Sequence, residues 1–152
     1  MIIRPWENSD APQIVELIDG ILKREFPQDQ KAYPMQDLEN LSGSYGGKND
    51  SFLVAEEEGR LIGTCGVKAD GNETAILRRF FVDSRHRGKG VGRGLLEEAL
   101  SFCREKKFHE VIIRTSASME KAIQLCRLAG FQQDGDWSLG GATLVRYRLK
   151  LS

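Results

Sequence analysis

One short segment of the chain combines alternating glycines with basic side chains, between a predicted buried strand and a predicted amphipathic helix. The segment runs from Val82 to Gly94 and has glycine at positions 88, 90, 92 and 94. Glycine weakens a helix start by roughly 0.5 to 1 kcal/mol relative to alanine, so this spacing indicates that a ligand approaches the main chain closely. Exposed amides at a helix N-terminus, flanked by arginine and lysine, favour bound phosphate. The sequence therefore predicts an anion-binding loop here.

Two common phosphate-binding loops do not fit this segment. A P-loop requires lysine followed by serine or threonine at the helix start, whereas Gly90 and Val91 follow Lys89. A dinucleotide-binding loop lies early in a strand-helix-strand unit and is followed by an acidic residue about 20 positions later. Here the loop lies past the middle of the chain, after predicted antiparallel hairpins. Nucleoside triphosphate and dinucleotide ligands are therefore disfavoured.

The remaining pattern resembles the GNAT family of N-acetyltransferases. That family binds acetyl-CoA with arginine or glutamine, two residues, glycine, one residue, then glycine or alanine, and Arg85, Gly88 and Gly90 match this spacing. The resemblance is specific over Leu77 to Leu100. The stretch from Ala122 to Phe131 looks like the last helix of the family and the strand after it. In element order the resemblance extends over the whole chain.

The resemblance also implies a cofactor and the residues that bind it. The cofactor would be acetyl-CoA, with CoA as the product. The amides from Arg87 to Arg93 would hold the pyrophosphate, and pantetheine would lie along Phe80 to Val82. A main-chain amide near Phe80 would face the thioester carbonyl as an oxyanion donor, a role worth about 3 kcal/mol in other acyl-transfer enzymes. The full cofactor-binding set implied is Phe80, Phe81, Val82, Arg85, Arg87, Gly88, Lys89, Gly90, Val91, Gly92 and Arg93.

The proton carriers depart from the family pattern. A primary amine with a pKa near 10.4 must lose a proton, and the departing thiolate must gain one. Ile76 stands where many members have a glutamate, so water leading to Glu73 or Glu25, or an amine that is already neutral, would have to serve instead. Cys126 stands where the family has a proton-donating tyrosine; it could donate a proton or pack as a small hydrophobe. The predicted catalytic residues are Cys126, Phe80 and Glu73.

The acceptor is bounded only in broad terms. The resemblance implies transfer of the acetyl group to a primary amine of a small molecule, an amino acid or a peptide, by direct attack in a ternary complex. Specificity is expected from Ile14 to Tyr45 and from Trp137 to Leu144, which would flank the acceptor. Arg78 shares a strand face with Ile76 and could meet an acceptor carboxylate or form a structural ion pair. The alternative function is a non-catalytic CoA-binding sensor or interaction module.

Composition bears on the remaining classes of function. The 152 residues carry 22 basic and 22 acidic side chains, so no net field attracts nucleic acid or a membrane surface, and neither is expected as a partner. Three separated cysteines and two histidines give no metal-binding spacing. Without a bilayer-spanning apolar run or a secretion signal, a cytoplasmic protein is expected, with homodimerisation left open. The length fits a single acetyl-CoA-binding domain over residues 1–152.

The pattern of predicted elements places this loop in a mixed α/β domain. Apolar spacings of three and four predict a helix from Ile14 to Leu22, and a second helical stretch runs through Leu38 and Leu41. Thr74 to Val82 is apolar on both faces, as a central strand would be. The predicted order is β-α-α-β-β-β-α-β-α-β-β, with a central mixed, mostly antiparallel sheet and helices on both faces. The other predicted elements are strands Ser51–Glu56, Leu61–Val67 and Glu110–Thr115, helices from Gly90 to Lys106 and from Ser118 to Leu128, and two last strands after Phe131.

Overall fold

A computed structural model describes residues 1–151 and contains one mixed sheet. Its strands are β1 (Ile2–Pro5), β2 (Ser51–Glu57), β3 (Arg60–Asp70), β4 (Thr74–Val82), β5 (Glu110–Ser116), β6 (Gln132–Leu139) and β7 (Ala142–Lys150). They lie in the order β1-β2-β3-β4-β5-β7-β6. The pair β4 and β5 is parallel, and the other neighbouring pairs are antiparallel. The predicted mixed, mostly antiparallel sheet is confirmed.

Helices lie on both faces of this sheet, as predicted. The α-helices are α1 (Ala11–Glu25), α2 (Gln36–Glu39), α3 (Leu41–Tyr45), α4 (Val91–Glu105) and α5 (Glu120–Leu128), and short 3-10 helices cover Asn8–Asp10, Pro27–Ala32 and Ser84–His86. The apolar side chains of α4 and α5 pack in one core with β3, β4, β5 and β7. Those of α1, α2 and α3 pack in a second core with Phe52, Val54 and Phe81 on the other face. The fold class predicted from the sequence is therefore confirmed.

The helix α4 shows how the sequence pattern builds the first core. Val91, Leu95, Ala99 and Cys103 recur every four residues and are all at most 4% exposed. Burying a side chain such as that of Leu95 contributes about 1.5 to 3 kcal/mol to stability. Because this row faces the sheet, the N-terminal end of α4 is fixed beside the end of β4.

Two of the differences between predicted and observed helices concern their interruption and their capping. The second helical stretch is two short helices, because Asn40 interrupts it and caps α3 by accepting a hydrogen bond from the amide of Gly43 at 3.1 Å. Ser118 does not cap α5; the N-cap is Met119, and the Ser118 hydroxyl donates instead to Asp29. This second difference matters for the site, since it ties the start of α5 to the segment after α1.

All three cysteines belong to the core that α4 and α5 form with the sheet. Cys65 and Cys103 are 0% exposed and Cys126 is 1% exposed. Burial raises the pKa of the Cys103 and Cys126 thiols to about 12, and it raises the pKa of Cys65 above its ordinary value. These thiols are therefore protonated, unreactive core groups at neutral pH.

The parallel strands β4 and β5 stay paired over only part of their length. Their ladder runs from Thr74 opposite Glu110 to Leu77 opposite Ile113. Beyond this point β5 continues to pair with β7 as far as Ser116, whereas β4 keeps β3 as its partner. The two strands therefore part and leave a cleft between them.

Candidate active site

The loop between β4 and α4 contains two glycines in the left-handed region. Gly88 has φ +76° and Gly90 has φ +86°, a conformation that L side chains rarely adopt. A methyl group added at either position would meet no atom of the described residues within 4 Å. The main chain at these two positions is thus open to a ligand from the side where other residues carry a side chain.

The N-terminus of α4 is not capped by the protein. Gly90 is the N-cap residue and provides no side-chain hydrogen bond. The first intrahelical bond runs from the amide of Gly94 to the carbonyl of Gly90, at 3.0 Å. The preceding amides of Val91, Gly92 and Arg93 have no carbonyl of the helix to bond to. Three amides and the helix dipole therefore converge where an anion would be stabilised.

The other two glycines of the segment have a packing role. A methyl group at Gly92 would come within 2.8 Å of Leu125 Cδ1, and one at Gly94 within 2.7 Å of Ile3 Cδ1. Both positions need glycine because α4 is pressed against α5 and β1. The ligand argument from alternating glycines thus holds for Gly88 and Gly90, while Gly92 contributes only its amide.

Arg87 braces the loop against α1. Its guanidinium forms an ion pair with Glu25 and donates through Nε to the carbonyl of Val82 at 3.1 Å. Glu25 is consequently engaged with a cation at the loop and is poorly placed to take a proton in the cleft.

The remaining basic residues of the segment point to solvent. Arg85 is 71% exposed in its side chain and lies 3.3 Å from Asp83, and Arg93 is paired with Glu97 at 3.0 Å on the surface of α4. Lys89 is exposed between the two open glycines. These flexible cations surround the anion site without filling it.

A β-bulge shapes β4 next to the cleft. Thr64 pairs with Phe81 and Gly66 pairs with Arg78, so two residues of β4, Arg79 and Phe80, face one residue of β3. Arg79 has φ +54°, which a residue with a side chain adopts only under constraint.

The bulge is held by hydrogen bonds on both sides of the backbone. The hydroxyl of Thr64 donates to the carbonyl of Arg79 at 2.6 Å. The Arg79 guanidinium donates to Asp37 at 2.5 Å and 3.1 Å and to the carbonyl of Pro34. Tyr45 donates to the same Asp37 at 2.6 Å, so α2 and α3 fix the conformation of the cleft wall.

Phe80, Phe81 and Val82 follow Arg79 and alternate between the two cores. Past Leu77 the β4 edge that faces β5 has no strand partner among the described residues. A methyl group at Gly92 would lie 3.4 Å from Val82 Cγ2 and 3.8 Å from Phe80 Cζ, so the uncapped end of α4 sits directly beside this edge. The anion site and the open strand edge are contiguous.

The cleft between β4 and β5 is lined by aromatic, apolar and basic side chains. The Tyr33 ring meets Phe81 edge to face, with 6.1 Å between ring centroids. Side chains on the start of α5 close the inner end. The lining residues are Tyr33, Leu77, Arg78, Arg79, Phe80, Phe81, Ile113, Arg114, Thr115, Met119 and Ala122.

Tyr33 provides a phenol hydroxyl in this cleft, and sequence patterns did not indicate it. Its oxygen accepts a hydrogen bond from the amide of Ser116 at 2.8 Å and lies 3.1 Å from Thr115 Oγ1. Burial raises the pKa of Tyr33, which keeps the phenol protonated at neutral pH. Asp29, 2% exposed, accepts a hydrogen bond from the hydroxyl of Ser116 at 2.9 Å and so fixes the strand end that positions Tyr33.

Two predicted catalytic residues lie away from the cleft. Glu73 is exposed in the turn before β4, roughly 23 Å from Phe80 along an extended strand. Its carbonyl accepts hydrogen bonds from His109 and Glu110, at the far end of the sheet. Cys126 is buried in the α4 core and does not line the cleft. The structure thus brings Phe80 to the site and leaves the other two outside it.

A model of the Acetyltransferase (GNAT) family matches residues 15–131. The chain belongs to the GNAT family of acetyltransferases. The match begins within α1 and ends just after α5, so it includes the anion loop, the bulge and the cleft. The family resemblance noted in the sequence is confirmed.

Curated relatives of this GNAT chain carry N-acetyltransferase names. Probable N-acetyltransferase family 8 member 5 of Mus musculus is 34% identical over 107 residues, covering 67% of this chain and 47% of that protein. N-acetyltransferase 8 of Homo sapiens is 31% identical over 105 residues, covering 65% and 46%. The chain therefore spans about half the length of the curated relatives it matches.

Solved structures share the GNAT fold over nearly the whole chain. An acetyltransferase of the GNAT family from Staphylococcus aureus Mu50 has a TM-score of 0.89 at 23% identity and covers 99% of both chains. The protein yncA of Salmonella typhimurium, solved with its cofactor acetyl-CoA, has a TM-score of 0.81 at 19% identity and covers 99% of this chain and 94% of its own. At these identities the likeness establishes the fold.

Acetyl-CoA is the cofactor of the GNAT family, and the residues at the loop fit it. The uncapped amides of Val91, Gly92 and Arg93 suit its diphosphate, and the open space beside Gly88 and Gly90 gives the main chain access to it. The unpaired edge after Leu77 can accept an extended pantetheine chain, as strand edges accept extended peptides.

Neither a metal-binding cluster nor a membrane-spanning helix is found in residues 1–151. No group of three or more His, Cys, Asp or Glu side chains there could hold a metal ion. In the same part of the chain, no helix has the length and apolar character needed to cross a membrane.

Proposed function

We propose that this protein transfers the acetyl group of acetyl-CoA to a primary amine. The observation that carries the proposal is the contiguity of the uncapped α4 N-terminus with the open β4 edge at Phe80 to Val82 and the cleft beyond it. An anion site alone would suit many phosphates. An anion site that adjoins an open strand edge and a cleft between two strands suits a nucleotide with a long acyl-bearing arm.

Each part of this surface has a role in the proposal. Acetyl-CoA supplies an activated acetyl group. The amides of Val91 to Arg93 bind the diphosphate, and Phe80 to Val82 hold the pantetheine arm along the β4 edge. The amide of Phe80, next to the bulge at Arg79, would act as the oxyanion donor to the reacting carbonyl.

We assign proton donation to Tyr33 in place of Cys126. The Cys126 thiol is 1% exposed with a pKa of about 12, and Cys126 is not among the residues that line the cleft. The Tyr33 hydroxyl lies in the cleft, and the amide of Ser116 that donates to its oxygen at 2.8 Å would stabilise the phenolate left after proton transfer. Tyr33 would thus donate the proton to the departing thiolate, the role that the family gives to a tyrosine on the last helix.

The acceptor amine has no carboxylate base among the residues that line the cleft. Ile76 cannot serve, and Glu73 and Glu25 lie elsewhere. We therefore propose that the amine enters in its neutral form or loses its proton to water. For a lysine-like amine the neutral fraction rises tenfold per pH unit below a pKa near 10.4, so kcat/KM should rise in parallel.

Release of free CoA thiol from acetyl-CoA across a panel of primary amines tests the proposal. Transfer is expected with some amines, together with saturable acetyl-CoA binding by calorimetry. Absence of binding would overturn the cofactor assignment. Saturable binding with no thiol release across the panel would favour the alternative, a non-catalytic CoA-binding sensor.

A further inference from the structure

Two arginines lie at corresponding positions of β4 and β5, just past the point where the two strands part. Leu77 and Ile113 form the last pair of the β4–β5 ladder, and Arg78 and Arg114 are the next residues on the two strands. Because side chains alternate along a strand and Leu77 and Ile113 belong to the α4 core, both arginines project to the opposite face. Both are exposed, and both line the cleft.

Neither of these two guanidinium groups has a counterion in the part of the chain that the structure describes. Neighbouring cations of the sheet do: Arg79 pairs with Asp37 at 2.5 Å and Arg146 pairs with Asp134 at 2.7 Å. The β7 partner of Arg114 is Arg146, so a third cation adjoins the pair. The structural ion pair considered for Arg78 is therefore made by Arg79 instead.

Arg79 provides an independent observation in the same cleft. Its side chain is 6% exposed, and while Nε and one terminal nitrogen bond Asp37 and Pro34, the other terminal nitrogen is buried with no hydrogen-bond partner among the described residues. A buried donor without a partner destabilises a fold, because it has lost its hydrogen bonds to water. A ligand bound in the cleft, which Arg79 also lines, would be one way to supply the missing acceptor.

We propose that the acceptor amine carries a carboxylate, which binds to Arg78 and Arg114 in the cleft that Arg79 also lines. Guanidinium groups bind carboxylates through paired, charge-assisted hydrogen bonds, and a carboxylate would relieve the repulsion between the two unpaired cations. The inference rests on the proposed acetyl transfer and narrows its substrate class to amino-acid-like acceptors.

Matched acceptors and matched variants test this site. Each amino acid is compared with its own α-carboxamide, and the ratio of the two kcat/KM values is measured in wild type, Arg78→Gln and Arg114→Gln. Arg104→Gln is the control, since Arg104 is exposed on α4, on the other side of the sheet. Wild type and all variants are assayed with the same acid and amide. The difference in amine pKa between acid and amide therefore affects every ratio equally and cancels when the ratios are compared.

The ratio should fall about tenfold or more in each cleft variant, as expected for loss of a hydrogen bond to a charged group, and stay at the wild-type value in Arg104→Gln. KM for acetyl-CoA should not change in any of them. Equal ratios in wild type and both cleft variants would overturn the inference.

Calorimetry separates this inference from the proposed function. Binding of the amino acids and their amides to the CoA-saturated protein is measured without turnover, and the acid form should bind more tightly only when Arg78 and Arg114 are present. Preferential binding of the acid without any acetyl transfer would contradict the proposed function alone. Transfer to amines with no preference for the carboxylate in binding or in rate would contradict this inference alone.

Discussion

The proposed mechanism assigns proton donation in this cleft to a single side chain, Tyr33. Tyr33 reaches it from the segment after α1, and the amide of Ser116 holds its hydroxyl. Cys126, at the position where the family has its tyrosine, has become part of the core. A proton donor must reach the reacting atoms, and only Tyr33 of these two residues lines the cleft. Mutation of Tyr33 and of Cys126 should therefore have different effects on the rate.

Tyr33→Phe should lower kcat about 100-fold, since it removes the hydroxyl proton and keeps the ring against Phe81. The dissociation constant for acetyl-CoA should be unchanged. Steady-state kinetics and calorimetry measure the two effects. Tyr147→Phe is the control, because Tyr147 OH bonds Arg127 and Gln133 on the other side of the sheet. Equal kcat values in the two variants would remove Tyr33 from the mechanism.

Cys126→Ala should lower the free energy of unfolding by about 1 kcal/mol through the small cavity it creates, and leave kcat of the folded protein unchanged. Cys103→Ala, at an equally buried position on α4, should behave in the same way. Thermal unfolding and initial rates compare the two variants. A large loss of kcat confined to Cys126→Ala would restore the thiol as proton donor.

The loop and α4 need glycine for two different structural reasons. Gly90 adopts a left-handed conformation and has open space beside it, whereas Gly92 leaves room for the side chain of Leu125. The sequence predicted the loop because its spacing is local and its chemistry depends on main-chain amides. The sequence could not tell which glycine serves which purpose, because the difference lies in the atoms that surround each glycine in the folded chain.

Gly90→Leu should abolish acetyl-CoA binding. The side chain strains the backbone at φ +86° and occupies the space through which the ligand reaches the α4 amides. The thermal stabilisation by cofactor, which at a hundredfold excess over Kd corresponds to about 2.7 kcal/mol, should vanish. Gly71→Leu is the matched control, with φ +75°, equally open surroundings and a position in the turn between β3 and β4. Retained binding in Gly90→Leu would contradict the anion site.

The bulge and the segment after α1 mark the limit of prediction from sequence. Nothing in the pattern of β4 indicates that Arg79 turns back toward α2, because the bulge arises from the register with β3. Residues 26–35 carry no helical or strand periodicity, yet Asp29 and Tyr33 reach the end of β5. Periodic elements and the local glycine loop were predictable; contacts between distant irregular segments were not.

For the whole molecule, buried ion pairs link stability to pH. Burial opposes ionisation of Asp37, yet hydrogen bonds from Arg79 and Tyr45 outweigh it and lower the pKa of Asp37 below its ordinary value of 3.8. A lowered folded-state pKa contributes stability that is fully present above the ordinary value and is lost as the pH falls through the folded value. Asp37 therefore stabilises the bulge at neutral pH and ceases to do so in acid.

The melting temperature should fall as the pH drops below about 4, and Asp37→Asn should weaken this dependence while lowering stability at pH 7. Calorimetric scans across pH 2.5 to 7 would measure both effects. Glu39→Gln, an exposed change on the same helix, serves as the control and should follow wild type. A pH profile of Asp37→Asn that is parallel to wild type would show that this pair does not govern acid stability.

The position of the cysteines determines how turnover can be observed. With all three thiols at most 1% exposed, the native protein should react slowly with disulfide reagents such as dithiobis(nitrobenzoate). The colour that develops during catalysis would then come from liberated coenzyme alone, with a negligible blank. Adding denaturant at the end of the assay should release three further equivalents per chain, an internal count of the enzyme present.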